Sequence, residues 1–162
     1  MKKKQCITIL FGALTLLWMC FIWGNSLKTG TESGSISTSV VEFINAILSG
    51  ISPSFILSHL FVRKLAHFLE FALLGILLCF FAHFLFGFSH EKNFNRLALI
   101  WLALPISFLI ALLDEIIQFF VPLRGGSFWD VMLDLSGAFT SIAIFFAVLI
   151  LKYRLRNKEE KV

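Results

Sequence analysis

Charge is scarce in this chain. Asp, Glu, Lys and Arg make up 15% of its 162 residues, against roughly 25% in a soluble domain. Hydrophobic residues make up 58%, and the mean hydropathy is +0.88. The shortage excludes a well-solvated surface, and because the apolar residues come in long runs it assigns the chain to a membrane. Cysteine is scarce too. Cys6, Cys20 and Cys79 form no C-x-x-C pair and sit within apolar runs, so they read as lipid- or core-facing side chains rather than a metal or redox centre. No Pro/Ser-rich linker, low-complexity tract or repeat interrupts the interior, and residues 1–162 read as one domain.

What is present is a set of four apolar segments, over about residues 6–23, 66–88, 97–120 and 131–151. Each holds roughly 18–24 residues, which at ~1.5 Å per residue covers a hydrocarbon core of about 30 Å. The expected fold is all-α, a polytopic membrane protein with four transmembrane helices. Pro105 lies inside the third span and predicts a kink, since it removes a backbone hydrogen bond.

Orientation follows from where the 14 Lys and Arg residues fall. Lys2, Lys3 and Lys4 precede the first span, Lys92 and Arg96 lie between the second and third, and Lys152, Arg154, Arg156, Lys158 and Lys161 follow the fourth. Placing these inside leaves only Lys28, Arg63, Lys64 and Arg124 outside, so both termini are expected to be cytoplasmic. Anchoring of this kind also accounts for the net charge of +4 without a nucleic-acid partner. The first segment has the basic start of a signal peptide, but Ile22 and Trp23 are bulky where a cleavage site needs small residues, and it reads as a retained span.

The outer loop, residues 24–62, carries Ile36, Val40, Phe43, Ile44, Ile47 and Leu48 at helical spacing. Ser39 with Glu42 fits a capping box, with Ser35 as a cap one turn earlier. The spacing predicts an extracytoplasmic amphipathic helix, lying on the membrane face or capping the bundle. Ser52-Pro53 then reads as a cap and first turn leading to the second span.

The polar residues of the spans fall at one depth. Counting roughly 20 residues from the inner end of each span reaches His67 in the second, Ile116 in the third and Met132 in the fourth. Arg63, His67 and Glu70 share a face of the second helix, Asp114 and Gln118 a face of the third, and Asp130 and Asp134 a face of the fourth. Three polar faces at one level avoid lipid by facing one another, which predicts a pocket open to the extracytoplasmic side. Glu70, Asp114, Glu115, Asp130 and Asp134 outweigh Arg63, Lys64 and Arg124, so the pocket calls for a carboxyl proton, a protonated His67 or a bound cation.

Each residue has a structural reading as well. Arg63 and Lys64 suit the head-group boundary, where long cations snorkel. His67 suits a hydrogen-bonded packing role, and so does the more deeply placed His83. Glu115, adjacent to Asp114, is expected to face solvent or head groups. Gly125 and Gly126 supply a turn, and Ser127 with Asp130 fits a capping box for the fourth helix.

With these residues in place the chain resembles the VanZ-like family. The resemblance rests on RKLAHFLEF at residues 63–71, on DEIIQFFVPLRGGSFWDVMLDLSG at residues 114–137, on Asn25-Ser26 and on the Ser33/Ser37 pair. It implies a small helical membrane protein whose namesake is associated with low-level resistance to teicoplanin, a glycopeptide antibiotic. The matched positions include Arg63, Lys64, His67, Glu70, Asp114, Glu115, Gln118, Arg124, Ser127, Asp130 and Asp134. The chain has Phe71 where the family often has Tyr, and Asp134, an added carboxylate, where it often has Asn.

Three functions compete. An enzyme acting on an envelope substrate would use His67 and Glu70 as an acid–base pair, with Asp114, Gln118 and Asp130 orienting or activating a group. Arg124 would hold an anionic head group, and Arg63, Lys64, Glu115, Ser127 and Asp134 would complete the substrate side. A non-enzymatic protein would bind a membrane lipid, a lipid-linked envelope precursor or a lipid-tailed antibiotic with the same residues. A proton- or cation-coupled transporter is the weakest reading, because carriers place their sites near the midplane. No cofactor is expected beyond a cation in the acidic pocket.

Overall fold

The computed structural model describes residues 2–50, 57–86 and 94–159. Among them there is no strand. The helices are α1 (Lys2–Ser26), α2 (Gly30–Ser49), α3 (His59–Phe86), α4 (Phe94–Phe120) and α5 (Phe128–Glu159). All except α2 are long and apolar enough to cross a membrane. Each runs past the expected apolar segment at one or both ends, because polar residues at the ends of the apolar runs continue the helix. Asn25 and Ser26 belong to α1, Arg63 and Lys64 to α3, and Lys152, Arg154 and Arg156 to α5. α4 continues through Pro105.

The start of α2 differs from expectation. Its capping box is formed by Thr29 and Glu32, not by Ser35 or Ser39. The Thr29 amide and hydroxyl both donate to Glu32 Oε2 at 2.9 Å, and the Glu32 amide donates to Thr29 Oγ1 at 3.3 Å. Those bonds hold the Glu32 carboxyl below its ordinary range, the backbone N–H of Thr29 contributing most. Ser35 and Ser39 instead donate back to the carbonyls of Glu32 and Ser35 within the helix. Helix formation thus begins a turn or more earlier than the apolar stripe. Of that stripe Ile36, Val40, Phe43 and Ile47 are exposed, whereas Val41, which is not part of it, is buried. Asn45 clasps the start of the next element, accepting from the Leu57 amide at 2.9 Å and donating to its carbonyl at 3.4 Å. The Ser52-Pro53 turn lies outside the described residues.

α3 is the central helix and touches every other one, with α5 its most extensive partner. Small residues permit this approach. A Cβ at Gly137 would strike the Phe68 backbone carbonyl, and one at Gly75 would strike Ser141 Oγ. Gly137 lies one turn from Asp134 and Phe68 is next to His67, so the same close approach brings those side chains together. The core between the helices is built from Ile22, Phe71, Leu74, Leu78, Ala103, Ile110, Val131, Ala138 and Ile142. Cys79 is buried with them, whereas Cys6 and Cys20 are exposed on α1. His83 packs edge-on against Phe84 and Phe145.

Candidate functional site

The polar faces of α3, α4 and α5 do meet, and the end of α1 joins them. Asp114 is fully buried on α4, one turn before Gln118. Its Oδ2 accepts from Gln118 Nε2 at 2.7 Å, the contact expected from their spacing. Its Oδ1 accepts from the Ser26 hydroxyl at 2.5 Å. Glu70 accepts from Asn25 Nδ2 at 3.0 Å, and the Glu70 carbonyl accepts from the Trp18 indole at 2.9 Å. Asn25 and Ser26 are therefore structural partners of the acidic cluster.

Glu115 is buried, contrary to the expectation that it faces solvent. Adjacent helical positions are only about 100° apart, and the chain after α4 folds back over this flank. Its Oε2 accepts from the Ser127 amide at 2.8 Å, and its Oε1 accepts from Gln118 at 3.3 Å. The capping of α5 changes accordingly. Ser127 Oγ accepts from the Trp129 amide at 3.3 Å, but the reciprocal carboxylate on the Ser127 amide is that of Glu115. Asp130 reaches Lys64 instead, at 3.2 Å on an exposed edge. Gly126 permits the fold-back, since a Cβ there would strike the Glu115 carbonyl.

The connecting turn aims Arg124 at α1. Leu123 has a φ of 60°, in the left-handed region that a Leu rarely adopts. The preceding carbonyl, Pro122, accepts from the Gly30 amide at 3.1 Å. Arg124 Nη1 then donates to the carbonyls of Asn25 (2.9 Å), Ser26 (3.1 Å) and Lys28 (3.3 Å). A cation on the carbonyls at the end of a helix is a favourable C-terminal cap. Burial, with Arg63 nearby, pulls the guanidinium below its ordinary range. Arg124 thus has a structural role that its side-chain type alone did not reveal.

The third group is the open one. His67 Nδ1 lies 3.7 Å from Asp134 Oδ1, and Asp134 is fully buried. Among the described residues neither Asp134 oxygen has a hydrogen-bond partner, nor has His67 Nδ1. His67, Asp114 and Asp134 can each bring one ligand atom within 4.8 Å of the others. The cavity here measures about 260 Å³ and is lined by Arg63, Lys64, His67, Glu115, Gln118, Arg124, Asp130 and Asp134, with Leu60, Leu123 and Leu133 among its apolar walls. Glu70, Asp114 and Ser127 are not lining residues. The anticipated His67–Glu70 pair is replaced by contacts that run in different directions, His67 toward α5 and Glu70 toward α1.

The sequence brings together the faces of α3, α4 and α5, but a first span ending at Trp23 leaves out Asn25 and Ser26, and Trp18 reads there as an ordinary span residue. The Asn25-Ser26 pair was the available signal, two polar residues closing an apolar run.

The chain matches the model of the VanZ/LLP1 family over residues 11–151, and it belongs to that family. No curated protein and no solved structure matches it.

Proposed function

From that membership we propose that the protein takes the polar head of a lipid-linked cell-envelope molecule into the cavity at the end of the bundle and alters it by acid–base chemistry. The observation that carries this reading is the buried Asp134 carboxyl, without a hydrogen-bond partner among the described residues, beside His67 in a cavity with Arg63 and Lys64 in its wall. A carboxyl buried only for packing would have its oxygens satisfied. Here they face a histidine able to exchange protons. Arg63 and Lys64 supply charge for an anionic head group, and the Lys64–Asp130 pair is exposed enough to open for it. Glu70, Asp114 and Arg124 act as positioning residues, holding α1 against the site.

The cavity opens to the extracytoplasmic side in this reading, because the terminal Lys and Arg clusters lie at the opposite ends of α1 and α5. A teicoplanin-type antibiotic combines a polar head with an acyl tail, and resistance to it is the phenotype the reading extends to this chain. The test compares lipid and cell-wall extracts of cells carrying the wild type, His67→Ala or no protein by mass spectrometry, at equal membrane abundance. A head-group species that changes with the wild type and not with His67→Ala is expected. Identical profiles in all three would leave only binding without chemistry.

A further inference from the structure

His67, Asp114 and Asp134 are held together from three helices, and the balance of their partners is uneven. Each oxygen of Asp114 accepts one donor, Ser26 at 2.5 Å and Gln118 at 2.7 Å. Such bonds fix the carboxylate while leaving a lone pair on each oxygen. Asp134 has no donor among the described residues, although its side chain is 1% exposed. One potential ligand atom of each residue lies within 4.8 Å of the other two. Ligands bound at ~2.0–2.2 Å stand about 3–3.5 Å apart, so closure onto an ion needs movements of about 1 Å or less per side chain.

We propose that these three residues bind a divalent transition-metal ion, Zn²⁺ or Mn²⁺, at the edge of the cavity that His67 and Asp134 line. Two carboxylates neutralise a divalent charge, which matters because Arg63 and Arg124 line the same cavity. The imidazole disfavours Ca²⁺ and Mg²⁺, which select oxygen ligands, and the absence of a thiolate from the trio suits Mn²⁺ as well as Zn²⁺. Ser26 and Gln118 then act as the outer partners that orient a metal-binding carboxylate. Three protein ligands leave coordination positions for a head-group oxygen, which the ion would polarise. Only this last role rests on the proposed function, since metal binding stands on the geometry of the trio.

The experiment uses the full chain in lipid nanodiscs, stripped with chelator and titrated separately with Zn²⁺ and Mn²⁺, with bound metal measured by elemental analysis after desalting. About one ion per chain is expected with at least one of the two metals. Asp134→Asn and His67→Gln should each weaken binding at least tenfold, and Ser26→Ala, which touches no metal, about tenfold. Arg63→Ala should bind at least as tightly as the wild type. Thermal unfolding in chelator separates ligand loss from misfolding, and Asp134→Asn should unfold no earlier than the wild type there. Failure of both metals to saturate near one per chain would overturn the proposal, as would wild-type affinity in Asp134→Asn and His67→Gln. A His67-dependent lipid change without metal binding would leave the proposed function standing, whereas metal binding without a lipid change would leave the site standing and remove the function.

Discussion

Two buried aspartates, each with a part-buried titratable neighbour, stand side by side in this bundle and are treated in opposite ways. On the α1 side, Glu70 and Asp114 have donors from Asn25, Ser26 and Gln118, and Arg124 covers the carbonyls at the helix end. On the α5 side, Asp134 and His67 Nδ1 have no hydrogen-bond partner among the described residues. Each side centres on a fully buried aspartate, Asp114 or Asp134, so burial alone does not distinguish structure from function. What distinguishes them is whether the carboxylates have donors. The side with donors fastens α1 to the rest, and the side without them is where a ligand gains most.

This contrast can be broken at its strongest point. Arg124→Ala should lower stability by about 3 kcal/mol, because three carbonyls lose a charged donor and the neighbouring acids lose their cation. Thermal unfolding in detergent would measure it, and a loss under about 1 kcal/mol would mean that α1 is held mainly by apolar packing. Asp134→Asn, measured without metal, should do the reverse and raise stability by about 1 kcal/mol, since it removes an acid buried without a hydrogen bond. A clear loss instead would show that Asp134 belongs with the fastened group. The smallest effect is expected at the exposed edge. Lys64→Ala should cost under about 0.5 kcal/mol at moderate salt, while weakening retention of anionic lipid on the purified protein.

Much of this arrangement was legible in the sequence. The apolar runs locate four helices, and counting depth from their inner ends brings His67, Asp114 and Asp134 to one level. The missing parts share a physical cause. The Ser26–Asp114 bond joins residues 88 apart and the Arg124–Asn25 bond residues 99 apart, and no local periodicity records such pairs. Glu115 counts with the pocket in the sequence and lines the cavity, but its partner is not legible there, because only the returning chain brings it the Ser127 amide. The cap of α2 is displaced because the helix starts at Gly30, ahead of the apolar stripe from Ile36 that marks it in the sequence. Its Thr29–Glu32 spacing is nevertheless the standard one for a capping box, and the missing Cβ has a separate use, since one there would strike the Leu123 carbonyl.

The Arg124 cap has a consequence for the order of assembly. During synthesis the end of α1 emerges long before the residue that covers it, with 99 positions between Asn25 and Arg124. At about 5–20 residues per second, those carbonyls wait roughly 5–20 s for their cation. Until the turn after α4 has been made, the first helix can be threaded through the bilayer but not locked. Glu70 and Asp114 can bind the end of α1 once α3 and α4 are made, Arg124 covers its carbonyls next, and Asp134 completes the polar cluster last.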